Sequence, residues 1–314
     1  MDAFNKTLAT EVILLGFSDN FLVNVILFFF FLIVYFVTVV GNCLMILLTL
    51  ISPQLHIPMY FFLCNLSFID LCYSSTSMPK LLVDLFSTRR IISVSGCCIQ
   101  VYISVFLGDT ECLLLALMAY DRYMAICQPL NYHMLMRWVV CYRLVAFVWI
   151  MSFLISVVPS LLMPIDFCNP NKINHFMCEI IAVVKLSCDN IYMNQLVIFS
   201  MSFFTLLLPF SFIIITYVFI ISSVLKIQSV ERSKAFSTCT SHIIVVVMFY
   251  CSAMTMYFGP SSQYSTDQEK YISVFYVLII PMLNPLIYSL KNKEVKKTFL
   301  SHVGFCSLSK GRVP

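Results

Sequence analysis

The sequence predicts an all-α membrane protein built as a bundle of seven transmembrane helices, and three observations lead to that prediction. Of the 314 residues, 61% are hydrophobic and only 11% are charged, whereas a soluble domain has about 25% charged residues. The charged residues are also missing from several long stretches. No stretch shows the alternating pattern of about ten residues that is typical of a membrane barrel. Because backbone groups in lipid must be satisfied within their own segment, the uncharged stretches predict helices.

Each uncharged stretch is long enough for a helix of about 20 residues, which crosses a hydrocarbon core about 30 Å thick. The first stretch, between Asp19 and Asp70, is too long for one helix and contains Pro53, His56 and Pro58. Proline and polar turn residues interrupt helices, so this stretch predicts two spans joined by a tight loop. The seven predicted spans are residues 23–50, 58–80, 95–121, 140–164, 194–226, 236–260 and 271–290.

The predicted topology divides the chain into an extracellular N-terminus (1–22), a transmembrane bundle (23–290) and a cytoplasmic tail (291–314). The first 11 residues lack the basic start and the cleavage site of a signal peptide. Asn5 begins an Asn-Lys-Thr glycosylation acceptor, which agrees with an N-terminus outside the cell. In this orientation twelve of the 19 Lys and Arg residues lie inside and seven outside, as the positive-inside rule requires. We therefore expect a multi-pass protein of the plasma membrane.

The cytoplasmic tail contains a short amphipathic segment. Val295, Phe299 and Leu300 share one side of a lysine-rich stretch. Such a pattern predicts a short helix that lies on the inner leaflet.

Two carboxylic acids are predicted to face the interior of the bundle. Ionisable residues at membrane depth cost about 2.5 to 3.5 kcal/mol each on insertion scales, so Asp70 and Glu111 need a structural or functional reason. Two carboxyl groups in a low dielectric either share a proton or hold a cation, and a hydrogen-bonded structural pair is an equal alternative. Glu111 shares one helical face with a row of third-span residues, namely Ser104, Gly108, Leu115, Met118 and Arg122.

Asp109 and Arg122 each allow two interpretations. Asp109 lies about 200° around the helix from Glu111, so it either borders a ligand cavity or plays a structural part on the flank of the third span. Arg122 stands between Asp121 and Tyr123. An arginine beside an acid can act as a removable latch, but an interfacial arginine whose head reaches water is common in membrane proteins.

The polar landmarks of the spans resemble those of rhodopsin-like G-protein-coupled receptors. They are Asn42, Asp70, Asp121-Arg122-Tyr123, Trp149, Pro209 and Asn284-Pro285-Leu286-Ile287-Tyr288. Four longer strings resemble the odorant receptor family within that class. These strings are LHIPMYFFLCNLSFIDLCYSS from Leu55, MAYDRYMAICQPLNY from Met118, KAFSTCTSH from Lys234 and PMLNPLIYSLKN from Pro281.

The resemblance implies two disulfides, one between Cys97 and Cys178 and one between Cys168 and Cys188. It implies no resident cofactor, apart from the cation considered above for Asp70 and Glu111. The segment from His175 to Glu179 also allows a metal site, because His and thiolate are good ligands. A cysteine in a disulfide cannot ligate as a thiolate, so this second interpretation competes with the first.

The resemblance further implies a receptor that binds a small, hydrophobic, volatile molecule between the helices. Ser104 stands where amine receptors carry an aspartate, which argues against a biogenic amine. The residues expected to line the cavity are Ser104, Val105, Gly108, Asp109, Met201, Ser202, Thr205, Tyr250, Ala253, Met254, Tyr257, Val274 and Val277.

Binding is expected to activate a heterotrimeric G protein of the olfactory stimulatory type and to raise cyclic AMP. The residues expected to act as the switch and the coupling surface are Asp121, Arg122, Tyr123, Tyr217, Lys234, Asn284, Pro285 and Tyr288. Asn42, Asp70 and Glu111 are expected to form a buried polar core. The expected partners are an odorant, the G protein and the lipid bilayer, with no nucleic acid.

Two other classes of protein fit the sequence less well. A transporter or channel usually shows repeated halves or helices interrupted at the midplane, and the sequence has no internal repeat. An enzyme needs a nucleophile, a base and an orienting group at a suitable spacing. No such set of residues occurs in the sequence.

Overall fold

The computed structural model describes residues 10–162, 171–186, 191–226, 229–258, 266–291 and 295. Side chains are described in the same ranges except 159–162, 191–195, 229–238, 266 and 290–291. Asn5, Cys168, Cys188 and the amphipathic tail segment apart from Val295 lie outside the described residues. The Asn5, Cys168–Cys188 and tail-helix predictions therefore stay predictions.

The described chain is mostly helical, with three short strands. In chain order the elements are β1 (Glu11–Leu14), α1 (Phe21–Ile51), a single turn (Pro53–Leu55), α2 (Pro58–Asp84), β2 (Ile91–Ser93), α3 (Val94–Cys127), α4 (Pro129–Leu135), α5 (Trp138–Leu162), β3 (Lys172–Ile173), α6 (Ile180–Val184), α7 (Ile191–Ser202), a π-helical turn (Phe203–Leu207), α8 (Leu208–Val224), α9 (Ser229–Phe258), α10 (Thr266–Val274), a second π-helical turn (Phe275–Ile279) and α11 (Ile280–Lys291).

Seven helical spans cross the bundle in the described part of the chain, which confirms the predicted fold class. The first four spans are α1, α2, α3 and α5. The fifth span consists of α7 and α8, the sixth is α9, and the seventh consists of α10 and α11. Six spans are long and apolar enough to cross a membrane. The exception is α2, which is long enough but carries Asn65, Asp70, four serines and one threonine.

The helices extend beyond the predicted spans where charged residues begin. The third span continues to Cys127, six residues past the predicted end, and the sixth begins at Ser229, seven residues before the predicted start. Charge marks the edge of the apolar region, but it does not end a helix, because Asp, Arg and Lys are all compatible with helical backbone. The sequence therefore located the spans better than it located the helix ends.

Large apolar side chains cover the outer surface of the bundle. Among them Phe36 is 66% exposed, Leu50 is 64% exposed and Phe147 is 60% exposed. A soluble protein rarely exposes such large apolar patches, whereas helices that face lipid carry them at no cost. The surface is that of a multi-pass membrane protein.

A small sheet closes one end of the bundle. Strand β1 is central, pairing antiparallel with β2 and parallel with β3. A disulfide between Cys97 and Cys178 joins the start of α3 to the segment that follows β3, as the family resemblance implied. We call these three strands, α6 and the segment between β3 and α6 the cap. The sequence analysis did not predict the strands, because each is only two to four residues long.

Two basic side chains fasten the cap to the bundle. Arg90 donates hydrogen bonds to the carbonyl oxygens of Asp84 and Ser18. Lys270, at the outer end of the seventh span, is only 5% exposed, and its Nζ donates to the Gly16 carbonyl at 2.6 Å and to Asn174 Oδ1 at 2.8 Å. Lys270 thus joins three parts of the chain that are distant in sequence.

Substitution of Lys270 with methionine is expected to destabilise the protein. The change keeps most of the side-chain volume but removes the buried donor, and a hydrogen bond to a charged group contributes about 1.5 to 3 kcal/mol. We expect Lys270→Met to lower the melting temperature of the purified receptor and its level at the cell surface. Lys172→Met, on an exposed position of the same cap, is the control. Equal stability of the two variants would contradict the role given to Lys270.

Candidate functional site

A cavity of about 130 Å³ lies between the helices beneath α6. Helices α3, α7 and α9 form much of its wall, together with the π-helical turn of the fifth span. Such turns interrupt regular helices and occur frequently at functional sites. The lining residues are Tyr73, Cys98, Val101, Tyr102, Ser104, Val105, Gly108, Asp109, Cys112, Ile155, Ser156, Ile180, Val183, Val184, Val197, Ile198, Met201, Ser202, Thr205, Leu206, Phe249, Ala253, Tyr257 and Tyr276.

Nine of the thirteen expected cavity residues line this cavity. They are Ser104, Val105, Gly108, Asp109, Met201, Ser202, Thr205, Ala253 and Tyr257. They lie on faces of the third, fifth and sixth spans that look into the bundle. Their part in ligand binding remains a prediction.

The other four expected residues do not line the cavity as the described residues form it. Tyr250 is fully buried, and its hydroxyl donates to the Cys112 carbonyl at 2.9 Å. Val277 is also fully buried, and Met254 and Val274 pack against the core. Helical spacing predicts which faces point inward, but it does not distinguish a residue of the cavity wall from one packed between two helices.

The cap supplies part of the cavity wall that the sequence analysis did not identify. Ile180, Val183 and Val184 of α6 cover the cavity. Glu179, the residue before α6, caps this short helix, because its Oε2 accepts a hydrogen bond from the Ile181 N–H at 2.8 Å. Its Oε1 accepts one from the Tyr257 hydroxyl at 3.3 Å. Glu179 therefore connects the cap to the sixth span.

Glu179 is only 3% exposed. It borders a side chamber of about 10 Å³ that shares Ser104 and Tyr257 with the main cavity, a volume that holds about one water molecule. Burial raises the pKa of the Glu179 carboxyl to about 7, although hydrogen bonds from the cap backbone and Tyr257 act in the opposite direction. The charge of this group therefore changes near neutral pH.

His175 is buried in the cap beside the disulfide. Its Nδ1 accepts a hydrogen bond from the Met177 N–H at 3.2 Å, and its ring stacks on Phe176. Burial, with a smaller contribution from Lys270, lowers the pKa of His175 to about 3, so the ring is neutral at physiological pH. The described residues hold no group of three His, Cys, Asp or Glu that could bind a metal ion, and the Cys178 sulfur is bonded to Cys97.

The three residues of the expected polar core lie in the middle of the bundle. Asn284 Nδ2 is 3.1 Å from both carboxylate oxygens of Asp70, which joins the second and seventh spans. Asn42 donates to the Pro281 carbonyl at 3.0 Å and so joins the first span to the seventh. Glu111 is fully buried near Asp70, and among the described residues its two oxygens have no hydrogen-bond partner.

The first and seventh spans approach each other closely beside this core. A Cβ atom on Gly41 would lie 3.0 Å from Cγ of Pro285. A side chain at position 41 would therefore require Pro285 to shift by a few tenths of an ångström. The glycine therefore permits the short distance over which Asn42 reaches the seventh span.

The inner end of the third span contains the expected ion pair. Arg122 lies 3.2 Å from the Asp121 carboxylate, although the geometry is not that of a hydrogen bond. Asp121 also accepts a hydrogen bond from the Tyr132 hydroxyl of α4 at 2.9 Å. Tyr132 was not among the expected switch residues, but its hydrogen bond joins α4 to the ion pair of Asp121 and Arg122.

His242 connects the third, fifth and sixth spans next to this latch. It is fully buried, its Nδ1 lies 2.7 Å from the Tyr217 hydroxyl, and its Nε2 lies 3.1 Å from the Leu115 carbonyl. His242 was not among the residues predicted to take part in the switch. The Tyr288 hydroxyl is buried without a hydrogen-bond partner in the described part of the chain.

Tyr123 and Lys234 are the two remaining expected switch residues, and the structure describes the side chain of Tyr123 only. Tyr123 is half-buried and packs against Phe219 of the fifth span. Lys234 lies in α9, in the segment whose side chains are not described.

The chain is similar to known proteins in sequence and in fold. The family model described as "Olfactory receptor" matches residues 31–303. Olfactory receptor 2B6 of Mus musculus is 46% identical over 98% of this chain and 98% of its own length. Olfactory receptor 2B2 of Homo sapiens is 46% identical over 95% of this chain and 84% of its own length. The chain belongs to the olfactory receptor family.

This olfactory receptor also has the fold of a solved structure outside the family. The crystal structure of squid rhodopsin matches it with a TM-score of 0.71 at 20% sequence identity, covering 95% of this chain and 90% of that chain. The fold is therefore that of the rhodopsin-like bundle, and family membership identifies a receptor rather than an enzyme.

The olfactory receptor should show a pH-dependent stability that traces to Glu179. Because burial raises its pKa from 4.5 to about 7, the stabilising contribution of the protonated carboxyl is fully present below about pH 4.5 and is lost as the pH rises through about 7. A shift of this size corresponds to a change on the order of 3 kcal/mol. Melting temperatures of the wild type and Glu179→Gln between about pH 5 and about pH 8 measure it.

The difference between the two melting curves isolates Glu179 from other titrating groups such as His175. The wild type should lose stability relative to Glu179→Gln as the pH rises. Glu11→Gln, at an exposed position of the cap, should follow the wild type. A constant difference between wild type and Glu179→Gln at all pH values would show that Glu179 does not titrate in this range.

Proposed function

We propose that this receptor detects a small hydrophobic odorant in the cavity beneath the cap and activates a heterotrimeric G protein of the olfactory stimulatory type. The observation that supports this most directly is the cavity itself, a mainly apolar space with a few hydroxyl groups between the helices of a receptor fold. Ligand sites between helices usually have this character. The consequence in the cell is a rise in cyclic AMP.

The size and chemistry of the cavity suit weak binding of a small molecule. A ligand of about ten heavy atoms that realises half of the ceiling of about 1.5 kcal/mol per atom binds with about micromolar affinity. Apolar contacts from α3, α6 and α9 supply most of the attraction. The hydroxyls of Ser104, Ser202 and Thr205 supply orientation.

The proposed orientation places the cap outside the cell and the tail (291–314) in the cytoplasm. The disulfide between Cys97 and Cys178 suits an oxidising compartment. The excess of basic residues on the opposite side agrees with the positive-inside rule. Residues 1–22 then form the extracellular N-terminus, with Asn5 available for glycosylation, and the receptor resides in the plasma membrane.

The inner ends of the helices provide the proposed switch. An outward movement of α9 must break the contacts of His242 with Leu115 and Tyr217. The same movement gives Arg122 room to leave Asp121, while Tyr217 and Tyr288 rearrange. The opened face, with Lys234 and α4, would then contact the G protein. Only a higher affinity of the ligand for the open state can drive this change.

The negative charges of Asp70 and Glu111 in the polar core beside Asn284 can be neutralised in two ways. A proton shared by Asp70 and Glu111 and a small cation held between them both remove the cost of two adjacent buried charges. The proposed switch works with either. Asn284 and Pro285 of the seventh span belong to this core and would move with Tyr288.

Replacement of Arg122 by alanine tests the switch. Arg122→Ala should reach the cell surface yet give no cyclic AMP response to any agonist, because the cation released from Asp121 is missing. Surface labelling and a cyclic AMP assay in the same cells measure both properties. Arg143→Ala, an exposed position on the adjacent α5, is the control. Normal signalling by Arg122→Ala would remove Arg122 from the mechanism.

Replacement of Tyr257 by alanine tests the cavity. Tyr257 lines the wall and donates to Glu179, so its loss should raise the half-maximal agonist concentration by about tenfold, the effect of about 1.4 kcal/mol. Dose–response curves for several agonists measure the change. Tyr271→Ala, at a position that is 65% exposed, should leave the curves unchanged. Unaltered curves for Tyr257→Ala would place the ligand elsewhere.

A further inference from the structure

Asp109 gives the cavity a negative group near the turn of the fifth span. It lies five residues after Ser104, which is about 7.5 Å further along α3. Both residues line the cavity, as does Thr205 of the π-helical turn. The neighbouring Gly108 leaves the space beside it open, since the nearest atom to a Cβ there would be Tyr73 Oη at 3.9 Å.

No basic side chain among the described residues balances Asp109. The cavity wall contains no Lys, Arg or His in the described part of the chain. Two lysines next to the cap have other partners, because Lys270 binds Gly16 and Asn174 while Lys185 pairs with Glu269 at 2.8 Å. Asp109 has no ion-pair partner in the structure as described.

Asp109 is half-buried in the cavity wall, and a carboxyl group without a cation there favours some ligands over others. Removing a carboxylate from water is costly unless it is paired. A ligand that carries an ammonium group supplies the missing partner. A ligand that carries a carboxylate would place a second negative charge beside the first. A neutral alcohol offers a hydrogen bond but no charge.

Two further groups favour a ligand with several N–H donors. The Ser104 hydroxyl is 8% exposed and has no hydrogen-bond partner among the described residues, although it borders the cavity. Glu179 carries a second carboxyl group at the side chamber next to Ser104. Both groups can accept hydrogen bonds, and an ammonium group has three donors and no acceptor.

We propose that the cavity selects small primary amines, whose ammonium group pairs with Asp109 while the apolar remainder packs against the surrounding wall. The inference rests on the proposed function, because it names the ligand class of the same cavity. It differs from the expectation based on Ser104, which considered only one position on α3. The cavity volume of about 130 Å³ is similar to that of a cavity of about 150 Å³ in another protein that binds benzene, so it suits a ligand built on a single small ring.

Three ligands with the same ring and different head groups test this proposal: benzylamine, benzyl alcohol and benzoate. Each is added to the purified full-length receptor, and the affinity is obtained from the ligand-dependent rise in melting temperature. We expect benzylamine to bind at least about tenfold more tightly than benzyl alcohol, and benzoate more weakly than both. This ranking uses the wild type and does not depend on the folding of any variant.

The variant Asp109→Asn identifies the group responsible. It should weaken benzylamine binding by about tenfold or more and change benzyl alcohol binding by less than about threefold. Asp19→Asn, which removes a fully exposed carboxylate, should leave all three affinities unchanged. Benzoate binding as tight as benzylamine binding, the absence of stabilisation by benzylamine, or unchanged benzylamine binding in Asp109→Asn would each overturn the proposal.

The binding assay contains no G protein, so it separates this inference from the proposed function. A failed ranking together with cyclic AMP responses that require Arg122 would overturn the amine preference alone. The expected ranking without any cyclic AMP response would support the amine preference and contradict the proposed coupling.

Discussion

A polar group between helices in a membrane has no bulk water available, so it needs a partner on its own helix, as Thr38 and Ser74 have, on another helix or in a ligand. This constraint explains why the few polar side chains of the bundle join distant parts of the chain. Asn42 binds the Pro281 carbonyl, Asn284 binds Asp70, and His242 binds the Leu115 carbonyl. The hydrophobic effect does not drive helices together in lipid, because lipid tails are as apolar as the helix surfaces. Together with close van der Waals packing, these hydrogen bonds join specific helices at specific heights.

The sequence predicted the helices well because lipid imposes a strong and local requirement on composition. A stretch without charge that is long enough to span the membrane is visible without knowledge of its partners, and the seven predicted spans all contain observed helix. The cap shows the opposite case. Strand β1 has four residues and pairs with segments about 80 and 160 positions away, so its structure depends on partners that no local pattern reveals.

The cavity was predictable in part because helical spacing, like the absence of charge, is a local pattern in the sequence. Helical spacing identified the inward faces, so nine of thirteen expected residues line the wall. It could not separate Tyr250, which hydrogen-bonds to a neighbouring helix, from Tyr257, which reaches the cavity. The contact of Glu179 with Tyr257 and those of His242 with Tyr217 and Leu115 were not predicted, because such contacts appear only when the chain has folded.

The sixth span is attached to the third at two heights, and the two attachments suggest different parts in activation. Tyr250 donates to the Cys112 carbonyl beside the cavity, and His242 contacts the Leu115 carbonyl nearer the inner end. The two side chains are eight residues apart on α9, which is about 12 Å along the helix. If the upper bond persists, an outward tilt of α9 pivots near Tyr250 and the displacement grows toward His242. In the proposed activation, a ligand that packs against Cys112 and Ala253 acts close to the pivot, where a small shift produces a larger movement beside Arg122.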